Sequence, residues 1–384
     1  MGSENTRDVT ALILAGGRGK RMGMLCTSRP KPLLPFAGQF KVIDFVLSNC
    51  INSGIGRIAA AVEYCGAKLE SYLHTWQHHV QSQPKMAILF PRQDTYAGTA
   101  DAIYQNLDHL RRWDSEIILV LAGDHIYNMD YRQLISFHNR SRADVTLATF
   151  TVPTEDAHRF GIVNADESGR IVGFEEKPNA PKSTLASMGI YVFNKKTLYR
   201  HLEEDAIDPN SRRDFGYNVI PKMIKFDRCF SYQFNDYWQD VGTPESYLTT
   251  NLELCCNRPR PHFDQRWNIH TQMTEESEPV IGPKAMVVNS RISPGCVVNG
   301  TVINSVLSPG VLVDEYSRVV DSVIMQNARI NKNCFVDRCI IDEEEIILTN
   351  SKISLNYLDT PNKPSKLPMQ SFLSGYSRGF AVRT

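Results

Sequence analysis

Net charge is the first thing this sequence lacks. Its 42 lysines and arginines are matched by 42 aspartates and glutamates, so no global basic excess recruits nucleic acid or an anionic membrane surface. Long apolar runs are missing too. None approaches the ~20 residues a membrane-spanning helix needs, and the N-terminus is polar, without a signal-peptide core. The nine cysteines include no CxxC pair and show neither metal-ligand nor disulfide-framework spacing. They read as packing residues kept reduced. The expectation is a cytoplasmic protein with no nucleic-acid partner and no membrane partner. A small anionic substrate stays open, because it needs only local cations.

The 384 residues, 42% hydrophobic and 22% charged, are enough for two domains with a large buried core. Over the first two-thirds of the chain, strand-like and helix-like segments alternate. Val9–Ala15, Arg57–Val62, Glu116–Ala122 and Ala143–Val152 read as strands; Val42–Ile51, Ala67–Trp76, Ala100–Leu110 and Tyr131–Arg140 read as helices. Such alternation argues for an α/β domain over 1–256, with a Rossmann-like mixed, mostly parallel sheet covered on both faces. Residues 257–279, with several prolines, read as a linker. Over 280–350, Val287, Ile292, Val297, Val302, Val306, Val319, Val323, Ile330, Val336 and Ile340 recur between turn formers such as Pro294-Gly295 and Pro309-Gly310. No helical period fits this. A hexapeptide-type parallel β-helix does, since each short strand needs an apolar side chain inside and a turn after it; an antiparallel sandwich is the alternative. Residues 351–384 read as a loosely packed tail.

The strand ending at Ala15 opens into Gly16-Gly17-Arg18-Gly19-Lys20-Arg21. A glycine-rich turn after a buried strand can bring backbone N–H groups against phosphate oxygens. It is not a dinucleotide fingerprint, because Met22 stands where the third glycine belongs. It is not a Walker A loop either, because only two residues separate Gly16 and Gly19 and Arg21 follows the lysine. Further on, Ser28-Arg29-Pro30-Lys31-Pro32-Leu33-Leu34-Pro35 sets two cations in a proline-stiffened segment. Arg21, Arg29 and Lys31 could converge on a triphosphate, or form a loose cationic surface loop.

Together, GGRGKR and RPKPLLP resemble the signature of the sugar-phosphate nucleotidyltransferases. Gln39–Phe45, Leu47–Ile55, Gly98–Ala102, Leu121–Tyr127, Phe174–Pro178, Ser187–Phe193 and Tyr237–Thr243 are similar to the glucose-1-phosphate adenylyltransferase branch, in one order along the chain. That resemblance implies a left-handed β-helix behind the catalytic domain. It also implies transfer of an adenylyl group from ATP to glucose 1-phosphate with release of pyrophosphate, for glycogen- or starch-type glucan synthesis. The same chemistry with another NTP or sugar, or a catalytically silent regulatory subunit, are the alternatives.

The resemblance assigns roles residue by residue. Arg21 and Lys31 match the cations on the triphosphate, and Gly16, Gly17 and Gly19 the backbone contacts to the nucleotide. Tyr96, Gly98 and Thr99 match the nucleotide pocket, with Thr99 also readable as a helix N-cap. Asp124 and Asp240 match the Mg²⁺-binding aspartates, although from sequence alone an Asp after a strand is also a cap or turn residue. Lys177 matches the sugar-phosphate lysine, while Glu176, Ser187 and the backbone near Gly161 match the sugar contacts. A homotetramer is implied. Four positions depart from the pattern: Glu63 replaces a glutamine near the base pocket, Asp214–Asn218 lacks a lysine and an acid, Lys20 replaces a threonine, and Ser28 replaces an effector lysine. Arg29 remains, which leaves an anionic allosteric effector open.

Overall fold

The structure, a computed structural model, describes residues 6–255, 267–272 and 277–354. Most of the expected linker and tail, and Cys256, lie outside the described residues. Two compact units form, each discontinuous in sequence: residues 6–17 with 45–238, and residues 18–44 with 239–354.

The first unit is built on one nine-stranded sheet. Its strands are β1 (Val9–Leu14), β2 (Arg57–Ala61), β3 (Lys85–Leu89), β4 (Ile117–Ala122), β5 (Val145–Thr151), β6 (Gly161–Ala165), β7 (Ile171–Glu176), β8 (Leu185–Asn194) and β9 (Cys229–Gln233). The order is β7-β6-β8-β4-β1-β2-β3, with β5 beside β8 and β9 beside β5. β4, β1, β2 and β3 run parallel. β8 runs antiparallel to β4 and β5, and β6 and β7 form an antiparallel pair, so the sheet is mixed as expected. β1 and β4 are apolar except for Thr10, whose buried hydroxyl donates to Ser115, because both faces are covered: Leu12, Ile13, Ile118, Leu119, Val120 and Leu121 are fully buried.

The expected helix Tyr131–Arg140 forms as read, with Asp130 capping it by accepting from the Arg132 amide. The helix expected over Ala100–Leu110 does not form as one piece. It divides into Thr99–Tyr104 and Leu107–Arg111. The break falls at Asn106, whose φ of −110° and ψ of 10° leave the helical region. Its side-chain amide instead donates back to the Ala102 carbonyl at 2.9 Å, the local competition that makes asparagine a poor interior helix residue.

In the second unit, short parallel strands stack in three faces, as the β-helix reading requires. Val302 pairs with Val319 and Val319 with Val336; Leu307 pairs with Ile324 and Ile324 with Ile341; Val298 pairs with Val313, and Ile330 with Ile347. These columns fill the coil core. The sequence reading took the wrong member of several pairs as the inward one. Successive strand residues face opposite ways, so Leu307, Ile324 and Ile341 point inward while Val306, Val323 and Ile340 are buried on the outer face. Helix Pro244–Leu252 packs against Val323–Ile324 there. Among the described residues no helix is long and apolar enough to cross a membrane, and the described cysteines are unbridged, all buried except the half-buried Cys65.

Candidate active site

In the first unit, β1 delivers the chain into the glycine loop. The Gly16 carbonyl accepts from the Tyr64 amide at 3.3 Å. A Cβ at Gly16 would lie 3.2 Å from Glu63 Cβ, so Glu63 flanks the start of the loop, whereas Gly17 faces open space. β4 ends at Ala122, and at Gly123 a side chain would meet Ile13 and the Leu14 carbonyl at 3.0 and 3.1 Å. Asp124 follows, partly exposed, with His125 Nε2 3.5 Å from its carboxylate. The His125 ring meets Trp238 edge-on, and Trp238 Nε1 donates to His125 Nδ1 at 3.4 Å. Nδ1 of the ring thus faces the indole and Nε2 faces Asp124.

A second set of groups joins across the same unit. Gly98 has extended backbone, and no side chain fits there because the Arg212 and Arg213 carbonyls occupy the space. Thr99 is the first helical residue rather than the N-cap, which is Gly98. Its hydroxyl reaches instead to residues far along the chain, donating to Asp214 at 2.9 Å and accepting from the Phe215 amide at 3.0 Å. Asp214 also accepts from the Gly216 and Tyr217 amides, fixing the turn after it. Tyr96 donates to the Leu89 carbonyl and accepts from Asn106, and burial pushes its phenol pKa up to about 12.

Gly216 and Gly161 together form a cradle for Glu176. A side chain at either position would overlap the Glu176 carboxylate, which is itself only 14% exposed. Lys177 Nζ lies 2.5 Å from Glu176 Oε1, on a residue with φ of 47° and an exposed side chain. A left-handed backbone is unusual for lysine; here it turns the chain so that the Lys177 amide donates to the Phe160 carbonyl. Ser187 is buried, donating to Tyr191 and accepting from Gly189 N, both at 3.3 Å. Gly98, Thr99, Asp214, Gly216, Glu176, Gly161 and Lys177 thus form one connected wall.

The second unit holds the cations. Lys31, 5% exposed, places Nζ 3.2 Å from Asp240 Oδ1, and Arg21 lies 3.8 Å from Oδ2. Two glycines permit this. At Gly19, with φ of 58°, a Cβ would lie 3.3 Å from Lys31 Cβ; at Gly242 it would lie 2.8 Å from Asp240 and 2.9 Å from Arg21. Arg29, read as free for a phosphate or an effector, is buried, with its guanidinium on Asp342 and Glu343. Ser28 and Lys20 are exposed.

Residues 10–256 match the family model described as nucleotidyl transferase. The chain belongs to the nucleotidyl transferase family. This nucleotidyl transferase also matches the model of a GlmU-like, C-terminal hexapeptide over residues 276–360. It is 40% identical to the glucose-1-phosphate adenylyltransferase of Desulforamulus reducens, over 94% of this chain and 93% of that protein. It is 41% identical to the proteins of that name from Bacillus cereus (strain ATCC 10987) and Bacillus anthracis, over 88% of this chain and 92% of each relative. Sequence reasoning assigned no role to His125, Asp214 or Gly216. The first was visible beside Asp124; the other two lay inside a motif that drew notice only for what it lacks.

Proposed function

We propose that this nucleotidyl transferase forms ADP-glucose and pyrophosphate from ATP and α-D-glucose 1-phosphate, supplying glucan synthesis of the glycogen or starch type. The observation that carries the reading is the Glu176 cradle. Two glycines seat a carboxylate beside a lysine, a pair suited to sugar hydroxyls and a sugar phosphate, and the same wall runs through Asp214 to Thr99 on the nucleotide side. Two curated relatives with this activity in their name match over most of both chains.

The reaction is a displacement at phosphorus. A phosphate oxygen of the sugar 1-phosphate bonds to the α-phosphorus of ATP as the bond to the bridging α–β oxygen breaks, and pyrophosphate carries away the electron pair. The attacking oxygen is already ionised, so no protein base is needed. The chain therefore acts by positioning two polyanions and offsetting their charge. Lys31 and Arg21 supply positive charge to the triphosphate, and Arg21 is able to engage two oxygens at once. Gly16, Gly17 and Gly19 let backbone amides approach, and Lys177 and Glu176 orient the sugar phosphate. Glu63, beside Gly16, accepts from the adenine amino group.

For the divalent cation we assign Asp124 and Asp240. Both are partly exposed carboxylates, the hard oxygen donors that magnesium prefers. Asp240 is held by Lys31 and Arg21, cations that pass to the triphosphate when substrate enters. Bound there, magnesium would neutralise charge on the phosphate oxygens. The working assembly on this reading is a cytoplasmic homotetramer, which light scattering of the purified chain tests.

The deciding experiment supplies the purified chain with glucose 1-phosphate and Mg²⁺ and offers ATP, UTP, GTP or dTTP separately. Pyrophosphate with ATP alone is the expected result. Preference for another nucleotide transfers the assignment to that base, and pyrophosphate with none makes the chain a silent subunit.

A further inference from the structure

We propose that Arg29 is a positioning residue, locked by Asp342 and Glu343 so that the segment it heads holds the Lys31 ammonium at Asp240. The inference rests on the triphosphate role given to Lys31 above, and all of its contacts lie within the second unit.

Arg29 is buried, and its two terminal nitrogens go to different carboxylates: one to Asp342 and the other to Glu343 at 2.9 Å. Asp342 is oriented by its own turn, accepting from the Glu343 amide at 2.8 Å. Glu343 is shared, its second oxygen lying 3.4 Å from Lys41 Nζ. Two cations face two anions, so the cluster is neutral, with Arg29 Nε buried and donating to no hydrogen-bond partner among the described residues. It offers no surplus positive charge to an anionic effector. Burying such a cluster is not an efficient source of stability, because desolvation offsets most of the attraction. What a two-pronged guanidinium contact does provide is fixed geometry.

That geometry is transmitted over a very short distance. One residue, Pro30, separates Arg29 from Lys31, and it sits at φ −73° and ψ 149°. Lys31–Leu33 then forms a single 3₁₀ turn containing Pro32. Two prolines remove most of the backbone freedom between the locked guanidinium and the lysine. The far side of the segment is tied as well. Tyr247 donates to the Pro35 carbonyl, the Ala37 amide donates to Asn251 at 2.9 Å, and Arg291 donates to the Ala37 carbonyl at 3.2 Å. Lys31 is therefore delivered to Asp240 on a strut anchored at both ends.

The test uses the full chain, with pyrophosphate release measured while ATP and glucose 1-phosphate are varied separately. Glu343→Gln and Arg29→Lys keep size and polarity but open the lock. A misplaced phosphate-binding lysine should raise the apparent KM for ATP ~10-fold or more and lower kcat. The KM for glucose 1-phosphate should stay within about twofold. Equal rises in both KM values, or a lowered thermal midpoint with unchanged kinetics, would reduce Arg29 to a structural ion pair and overturn the proposal. Should Arg29→Lys fail to fold, Glu343→Gln decides, since that side chain is about one-third exposed. Lys31→Met is measured alongside. If it is crippled while Glu343→Gln is normal, only the lock fails. If Lys31→Met is itself normal, the triphosphate assignment falls and the lock with it.

Discussion

Replacing Gly216 by alanine tests the Glu176 cradle with one added methyl group. Gly216 does not have a left-handed φ, so alanine introduces no backbone strain and the effect is one of space. The new Cβ would stand 2.8 Å from the Glu176 carboxyl carbon and 3.3 Å from its Cγ. Ordinary contact begins at 3.4 Å, so the carboxyl carbon must retreat by at least the difference, about 0.6 Å. Gly161 and Phe174 close the other side. A shift of that size spoils a charge-assisted hydrogen bond to a sugar hydroxyl, worth about 1.5–3 kcal/mol. At about 1.4 kcal/mol per tenfold, the apparent KM for glucose 1-phosphate should rise ~10- to 100-fold. Thr99 and Asp214 keep their contacts, so the KM for ATP should move far less. Initial rates of pyrophosphate release across both substrate ranges give the two constants. An unchanged KM for glucose 1-phosphate, or a parallel rise for ATP, refutes the placement of Glu176 on the sugar.

Other perturbations reach the remaining groups. Asp124→Asn removes a proposed metal-ligand charge and should lower turnover at least ~100-fold; near-normal turnover removes Asp124 from the site. Lys177→Ala should raise the apparent KM for the sugar phosphate well beyond that for ATP, and equal effects on the two count against its assignment. The acid limb of stability gives a check independent of catalysis. Side-chain hydrogen bonds from Arg228, together with its backbone amide, hold the Asp144 carboxyl below the usual aspartate range. A depressed carboxyl contributes stability that is present above the unfolded pKa of about 3.9 and is lost as pH falls through the folded value. Asp144→Asn should therefore lower the thermal midpoint at pH 7, with the gap to the parent closing below about pH 4. A gap that persists undiminished into acid would assign the effect to packing instead.

What could be read from the sequence follows the range of the forces involved. β1 and β4 were visible because a strand buried on both faces must be almost wholly apolar. Helix Tyr131–Arg140 was visible because a cap and a period coincide locally. The divided helix around Asn106 was not, because the break depends on a side chain choosing a carbonyl one turn back over the helical path. In the β-helix the repeat was legible, but each strand carries two adjacent apolar residues. Which of them faces inward is set by the register in which successive coils pair, and helix Pro244–Leu252 covers the outer face at Val323–Ile324. The proposed catalytic groups were singled out through motif resemblance, whereas the glycines that seat Glu176 have a purpose only once strands distant in sequence are brought together.

Arg29 shows the same limit most sharply, and it changes the functional argument. In sequence it stands between Arg21 and Lys31, with no acid between them, and such cations read as a triphosphate site or a loose cationic loop. Its partner Asp342 is 313 positions away, beyond any local pattern. Once that partner is in place, the local cations divide by burial and pairing. Lys31 and Arg21 both meet Asp240, the carboxylate proposed above for the divalent cation. Arg29 and Lys41 meet Asp342 and Glu343 instead. The identity of the carboxylate partner, rather than the density of basic residues along the chain, therefore separates the cations proposed to bind a triphosphate from those proposed only to aim it. Glu343→Gln leaves Lys31 and Arg21 chemically intact, so a selective loss of ATP affinity in that variant would have to come from geometry alone.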